Sequence, residues 1–157
     1  MESLTINKSI SEYVHKVFDE EINLTGVTEY GISWENLLNR SVSIPPQGAR
    51  FDLAFEGQIF GDIINGTIKG TDHLEVRADG KFILNIYATF ITEDGEIIAV
   101  KESGVSTPNV NGTAVLHLIM EFFTVSQKYE WINKKVVWSV GVVDMIAGKV
   151  KVTGYIN

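Results

Sequence analysis

The chain is constrained most by two Asp-Gly dipeptides, Asp79-Gly80 and Asp94-Gly95, each of which separates two runs of strand-forming residues. Glycine adopts a positive φ without steric cost, which a tight hairpin turn requires. The runs around the two turns, HLEVRA, KFILNIYATFIT and EIIAVKES, are rich in β-branched and aromatic residues, as strands are. We therefore predict a three-stranded antiparallel meander from Leu74 to Glu102.

The rest of the chain repeats this pattern in further strand-like runs, namely ARFDLAFEG, DIINGTIKG, TAVLHLIMEFFTVS, KKVVWSVGVVDM and GKVKVTGYI. Gly66 and Gly70 lie inside one of these runs, where glycines mark the sharp bends that closed barrels need. We therefore predict an all-β protein, a single antiparallel β-barrel of about 8–9 strands with one short helix. We predict one domain over residues 1–157, in which residues 1–12 are either part of the barrel or a flexible N-terminal extension.

Three segments between the strands allow more specific predictions. Residues 9–21 fit both a helix and a long strand, and we favour a strand from about Tyr13 onward. SWENLLNR is predicted to be the short helix, because Ser33 can cap its first turn. KYEWINKK is predicted to be a corner between two strands, with the Asn133 side chain bonded to nearby backbone, as asparagines in turns often are.

Composition excludes several classes of function. A net charge of −7 disfavours nucleic acids and anionic membranes as partners. The absence of cysteine excludes thiolate chemistry, and the three histidines share no metal-binding motif, so we expect no metal site and no cofactor. No run approaches the roughly 18 apolar residues of a membrane helix, and the N-terminus does not resemble a secretory signal. We therefore expect a soluble, cytoplasmic protein.

The central strand of the meander, KFILNIYATFIT, is apolar on both faces. Alternate residues from Phe82 to Phe90 form an apolar row, and Asn85, Tyr87 and Thr89 lie in the opposite row among isoleucines. Neither face of such a strand is suited to contact with water, so its outer face needs to be covered. On that ground we expect a homo-oligomer. Either row can face the barrel lumen. The polar row is favoured there, because ligand sites are mostly apolar with a few placed polar groups.

Several motifs occur together in a recognisable order: GARFDLAFEG, the turns Arg77–Gly80 and Thr92–Gly95, and the YEWIN element at Tyr129–Asn133. With this order the chain resembles, from about Tyr13 to its C-terminus, the bacterial and fungal family called domain of unknown function 3237. The resemblance implies a small β-barrel similar to calycin-like barrels and to the allene oxide cyclase barrel, and it carries over no catalytic residue. It also implies histidines at the positions of Asn85 and Tyr87. Any chemistry that depends on those histidines in the family is therefore in doubt for this chain.

Acid–base catalysis inside the barrel is the enzymatic option that the residues leave open. Arg77 and Glu102 lie on the strands flanking the central one and are the expected charged partners of the polar row. Trp131 and Trp138 can either stack on a planar ligand or fill the core. The acid–base candidates are Asp52, Glu56, Asp72, Glu75, Arg77, Glu102 and Glu121; the ligand-binding candidates are Arg77, Asn85, Tyr87, Glu102, Trp131 and Trp138. No catalytic residue is assigned.

Three functional hypotheses follow. The leading one is a barrel that binds a small, largely apolar molecule in its lumen. The second is a cofactor-free isomerase, cyclase or lyase that uses a lumen carboxylate with tyrosine or arginine, and the third is a structural oligomer with a filled lumen. A lumen cavity below roughly 300 Å³ would exclude a drug-sized ligand. A paired carboxylate of perturbed acidity in the cavity would favour the enzyme over a simple binding protein.

Overall fold

Eight antiparallel strands follow one another around a closed barrel in the computed structural model, which describes residues 14–157. Each strand pairs with its neighbours in sequence, and the last strand pairs with the first to close the sheet. This confirms the predicted barrel and its central meander. The strands are β1 His15–Glu29, β2 Ala49–Phe60, β3 Gly66–Val76, β4 Phe82–Thr92, β5 Ile97–Ser106, β6 Thr113–Phe123, β7 Val136–Asp144 and β8 Lys149–Ile156.

The ambiguous N-terminal region is a strand where the structure describes it, because β1 begins at His15. Residues 1–13 lie outside the described residues. The choice between helix and strand for residues 9–13, and the flexible extension over residues 1–12, therefore stay predictions.

Two short helical elements interrupt the sheet. The predicted helix is confirmed as α1, Trp34–Leu38, and the Ser33 hydroxyl caps it by accepting a hydrogen bond from a first-turn amide at 2.9 Å. A 3-10 helix, Glu130–Lys134, forms the predicted corner between β6 and β7. There the Asn133 side chain accepts from the Thr124 amide and donates to the Thr124 carbonyl, both at 2.8 Å, which confirms its predicted bonding to backbone. No helix within residues 14–157 is long and apolar enough to cross a membrane.

Both Asp-Gly turns use the positive φ of glycine, +90° at Gly80 and +85° at Gly95. The first loop has three residues, because the Gly80 amide donates to the Arg77 carbonyl at 2.9 Å and the Arg77 amide to the Lys81 carbonyl at 2.8 Å. This is a type I turn followed by a left-handed glycine, a common hairpin connection. A side chain at either glycine would therefore force a disfavoured backbone conformation.

The apolar row of β4 faces the lumen, which corrects the expectation that the polar row would. Alternate residues from Phe82 to Phe90 are buried, whereas Asn85 and Thr89 are half-buried and the Tyr87 side chain is 55% exposed on the outer surface. An eight-stranded barrel has an interior just wide enough for side chains to fill. Turning the larger apolar row inward therefore removes more apolar surface from water.

Large apolar side chains also remain exposed on the outer surface of the barrel. They concentrate on β5, β6 and β7, at Val105, Val115, Ile119, Phe123, Val136, Val140 and Val142. The two-sided apolar character of β4 thus extends to neighbouring strands. Because this surface is seen only in a single chain, the homo-oligomer stays a prediction.

One half of the lumen is filled by aromatic packing. The rings of Phe18, Phe90 and Phe122 meet edge to face, with centroids 5.5 to 6.5 Å apart. Gly154 leaves room for them, since a Cβ at that position would come within 2.7 Å of the Phe18 ring. This half is a packed core, and it leaves the other half of the barrel for a site.

Candidate functional site

A small cavity lies inside the barrel on the side that α1 covers. Its volume is about 80 Å³, and its walls are mostly aliphatic and aromatic. Of the residues that line it, Leu24 and Trp34 are partly exposed and the others are buried, so the cavity lies closest to solvent at these two side chains. The Trp34 ring packs against Phe51 and Phe82, with centroids 5.0 and 6.4 Å away.

Three carboxyl groups line this otherwise apolar cavity: Glu20 on β1, Asp72 on β3 and Glu102 on β5. Their exposed fractions are 1%, 7% and 4%. Each occupies a lumen-facing position because side chains alternate along a strand, and Glu20 lies two residues from the buried Phe18 of the aromatic core. The carboxyl groups therefore belong to the interior.

Burial raises the pKa of all three groups, because the charged form loses its hydration. Loss of solvent raises the pKa of Asp72 to about 6, although the hydrogen bond from the Asn85 backbone amide opposes the shift. The pKa of Glu102 rises to about 8, first through burial and then through repulsion from Asp72. The pKa of Glu20 rises well above its ordinary range, first through burial and then through the charge of Glu102. Repulsion from Asp72 thus acts on Glu102, and repulsion from Glu102 acts in turn on Glu20.

The hydrogen bonding of the cluster is incomplete among residues 14–157. The Asp72 Oδ1 accepts a hydrogen bond from the Asn85 amide at 3.0 Å. The Glu20 Oε1 is fully buried and has no partner there. A buried polar atom without a partner costs about 1–3 kcal/mol, and such an atom in a native protein calls for an explanation such as a bound water or ligand. A ligand in the cavity would provide one.

Two wider clefts lie outside the cavity at the same end of the barrel. One, of about 570 Å³, shares Phe82 and Met145 with the cavity wall. The other, of about 480 Å³, shares Leu24, Trp34 and Met145. Met145 borders all three spaces, and methionine is a flexible side chain.

The predicted ligand-binding residues are mostly elsewhere. Glu102 lines the cavity, but Arg77 is exposed in its hairpin turn and pairs with Asp79 at 2.7 Å. Arg77 and Glu102 therefore do not lie together beside one polar row, because the turn carries the arginine away from the lumen. Asn85 and Tyr87 lie on the outer face of β4, for the reason given above.

The two tryptophans also lie outside the cavity. Trp131 belongs to the 3-10 helix and is partly buried against the core. Trp138 stacks on Tyr155, with ring centroids 6.1 Å apart, on the outer side of β7. Neither side chain lines the cavity. Whether any of the six predicted residues binds a ligand is a question for experiment.

Among the acid–base candidates, only Asp72 and Glu102 line the cavity. Asp52 lies outside, within hydrogen-bond distance of Tyr30 and of His73, whose Nδ1 is 2.9 Å away. The remaining carboxylates, Glu56, Glu75 and Glu121, are exposed. Glu20 also lines the cavity but is not among the sequence candidates, because a single acid within an apolar run resembles an interruption of the strand. Alternation along the strand is the signal that could have found it, because Glu20 lies two residues from both Phe18 and Ile22, whose side chains are buried.

The residues of the site offer hydrogen bonds and protons. Within residues 14–157, no three histidine or carboxylate side chains form a cluster suited to a metal ion. The arrangement places carboxyl groups of different acidity around one apolar cavity, a combination suited to general acid–base chemistry.

Comparison with known proteins places this architecture among small barrels. A family model described as Protein of unknown function (DUF3237) matches residues 42–155, a span that contains Asp72 and Glu102 but not Glu20. A protein with unknown function from Clostridium acetobutylicum ATCC 824 superposes with a TM-score of 0.75, at 22% identity over 91% of this chain and 97% of the other. No curated protein sequence matches the chain.

Two further solved structures share the fold. A beta-barrel like protein from Acinetobacter baumannii AYE has a TM-score of 0.72, at 21% identity over 91% of this chain and 94% of the other. A structure described as an enzyme from Penicillium herquei has a TM-score of 0.62, at 20% identity over 92% and 93% of the two chains. At these identities the likeness establishes the fold.

Proposed function

The chain belongs to the family described as Protein of unknown function (DUF3237), and from the carboxyl cluster inside its barrel we propose that it is a cofactor-free acid–base enzyme. The reaction class is that of an isomerase, cyclase or lyase, and the substrate presents a small carbonyl group to the lumen. One observation carries the proposal: three buried carboxyl groups share an apolar cavity, and two of them have separated pKa values of about 6 and about 8. Separated acidities of this kind are how neighbouring carboxyl groups acquire different catalytic roles.

The separated pKa values define the roles. At pH 7 Glu102 is mostly protonated and Asp72 mostly ionised, and burial favours the protonated form of Glu20. A protonated carboxyl group in an apolar site can donate a hydrogen bond to a developing enolate oxygen. Glu102 and Glu20 are the donors in this mechanism, and Asp72 is the base.

Asp72 takes a proton from the carbon next to the carbonyl group, the C–H electron pair forms a carbon–carbon double bond, and the carbonyl oxygen gains the negative charge. Glu20 and Glu102 stabilise that oxygen through hydrogen bonds. In a substrate whose enolate is conjugated with a second double bond, return of the proton to the far carbon of that system gives an isomer. In a substrate with a leaving group on the carbon next to the deprotonated one, that group departs with its bonding electron pair, which is the elimination that a lyase requires.

The cavity limits what can enter. Pockets for drug-sized ligands occupy roughly 300–1,000 Å³, and an engineered cavity of about 150 Å³ holds benzene, whereas this one has about 80 Å³. A reacting group of a few non-hydrogen atoms fits. Any larger part of the substrate would lie in the outer clefts, which share Met145 with the cavity wall.

The other two hypotheses account for less of the site. A simple binding protein for apolar molecules gains nothing from three buried carboxyl groups, whose burial is costly. A purely structural barrel would fill the whole lumen, as the phenylalanine cluster fills one half of it. That one structural relative is described as an enzyme supports the idea that this fold can carry catalysis, and it adds nothing about the reaction.

The test uses ketones small enough for the cavity. Acetone and butanone are incubated with the protein in D₂O at pD 7, and deuterium at the carbons next to the carbonyl group is followed by proton NMR. We expect exchange faster than in buffer alone, and a decrease of roughly 100-fold in Asp72→Asn and Glu102→Gln. Glu121→Gln, which changes an exposed carboxylate, serves as the control.

Two outcomes would overturn the proposal. Chemical-shift changes that saturate with ketone, without any accelerated exchange, would identify a binding protein. Neither binding nor exchange with either ketone would leave the structural hypothesis. Carbon-13 NMR titration of the carboxyl groups checks the basis of the proposal separately, because ordinary pKa values for Asp72 and Glu102 would remove its chemical rationale.

A further inference from the structure

The larger outer cleft contains a cation in an unusual backbone conformation. Arg40 follows the C-terminal cap of α1 and has a φ of +58°, and it is the one residue other than glycine with positive φ within residues 14–157. Its amide donates to the Leu37 carbonyl at 3.2 Å, which closes the helix end. Glycine is the usual residue at such a position, because it takes this conformation without strain.

Arg40 is exposed and is one of the residues that line the cleft of about 570 Å³ beside the lumen. The other charged residue of that cleft is Asp79, which pairs with Arg77 at 2.7 Å. Arg40 forms no ion pair within residues 14–157. The cleft therefore offers a guanidinium group without a protein partner in the described part of the chain. A backbone outlier of this kind motivates a hypothesis of function.

The cleft and the cavity are adjacent, because Phe82 and Met145 border both. A molecule could thus place one end among the carboxyl groups and the other beside Arg40. Ser43 and Thr107 also line the cleft, and hydroxyl groups of this kind can donate hydrogen bonds to an anion.

We propose that this outer cleft binds a carboxylate at the non-reacting end of the substrate, and that Arg40 is the residue that recognises it. The inference rests on the proposed acid–base function for the identity of the other end, which is a ketone. The substrate class is therefore an oxo acid with its ketone in the lumen and its carboxylate on the guanidinium group. Arginine suits this role, because its planar group can hold a carboxylate through two parallel hydrogen bonds.

A matched pair of probes separates the two ends. 5-Oxohexanoate and 2-hexanone have the same chain and ketone, and they differ in that a carboxylate replaces a terminal methyl group. Dissociation constants come from nitrogen–proton NMR titrations of the full chain, a measurement that needs no turnover. We expect the protein to prefer 5-oxohexanoate by about tenfold at low salt, and the preference to decrease as salt rises.

Arg40→Gly is the decisive variant, because glycine fits the positive φ. We expect it to bind both probes equally, to leave the dissociation constant of 2-hexanone unchanged, and to melt at the same or a higher temperature. Arg40→Lys should keep part of the preference. Arg50→Ala removes the same charge from an exposed arginine that stacks over Tyr30, and it should keep the full preference.

The results distinguish this inference from the proposed function. A wild-type protein without preference, or an Arg40→Gly variant that retains it, would overturn the assignment of Arg40 even if ketone exchange occurs. An Arg40-dependent preference without any exchange would support the carboxylate subsite and refute the acid–base enzyme.

Discussion

Replacing Glu102 by glutamine should make the protein more stable at high pH than at low pH, relative to the unmodified chain. The reason is that Glu102 must lose its proton in a buried apolar cavity, whereas glutamine has no proton to lose. Glutamine has nearly the same shape, so the packing around position 102 changes little. The prediction concerns how the difference in unfolding free energy varies with pH.

The sign follows from proton linkage. The folded-state pKa of Glu102 is about 8, above its ordinary value of 4.5. Below about pH 4.5 the group is protonated in both states and costs nothing. As the pH rises towards 8, the unfolded chain releases this proton first, so the folded state loses stability relative to the unfolded state. Above about pH 8 the full cost is present.

The magnitude follows from the same two values. One pKa unit corresponds to about 1.4 kcal/mol, so a rise from 4.5 to about 8 gives an upper limit of about 5 kcal/mol. Because the group interacts with Asp72 and Glu20, part of this cost is shared among the cluster. We expect the advantage of Glu102→Gln to grow by about 2–4 kcal/mol between pH 5 and pH 9, because part of the cost is already present at pH 5.

Urea unfolding followed by tryptophan fluorescence measures this difference at pH 5, 6, 7, 8 and 9. Glu121→Gln is the matched control, since it makes the same chemical change on an exposed residue of β6. The lowered pKa of Asp94 affects stability below about pH 4, outside the measured range. A difference between Glu102→Gln and the unmodified chain that stays constant with pH would refute the idea that Glu102 is buried and protonated.

Three further changes probe the packing around the site and the two ends of the barrel. Trp34→Ala should enlarge the cavity and lower the unfolding free energy by about 2–4 kcal/mol, as measured by urea unfolding. Binding of xenon should increase, and unchanged xenon binding would contradict the placement of Trp34 in the cavity wall. Gly154→Ala places a Cβ 2.7 Å from the Phe18 ring and should cost about 1–3 kcal/mol, so a neutral effect in thermal unfolding would argue against the close packing. Asn133→Ala removes both hydrogen bonds to the Thr124 backbone and should cost about 1–3 kcal/mol, whereas an unaltered melting temperature would show that the corner holds without them.

Much of the fold was predictable because its determinants are local. The Asp-Gly turns mark the hairpins through the conformational freedom of glycine, and alternation along each run identifies the strands. The cap at Ser33 depends on residues within one helical turn, and asparagine in a turn commonly bonds to backbone, so sequence reasoning found both, although not that Thr124 is the partner of Asn133. The three-residue length of the first hairpin loop was not visible, because it depends on hydrogen bonds across the turn.

The site was less predictable, because its determinants are not local. Alternation shows which residues share a face of β4. Which face lies inside is decided when the sheet closes, because turning the larger apolar row inward removes more apolar surface from water. Asp72 and Glu102 were among the candidates, and Glu20 was not, since a single acid in an apolar run resembles an interruption.

By itself, then, the sequence determined the strands, the turns and the barrel, because each depends on backbone preferences and on a two-residue period. The tertiary structure alone decided the site. Glu20, Asp72 and Glu102 lie far apart in the chain, on alternate strands, and only closure of the barrel brings them to one cavity. Their raised pKa values exist only there, because loss of water and mutual repulsion are properties of the folded interior.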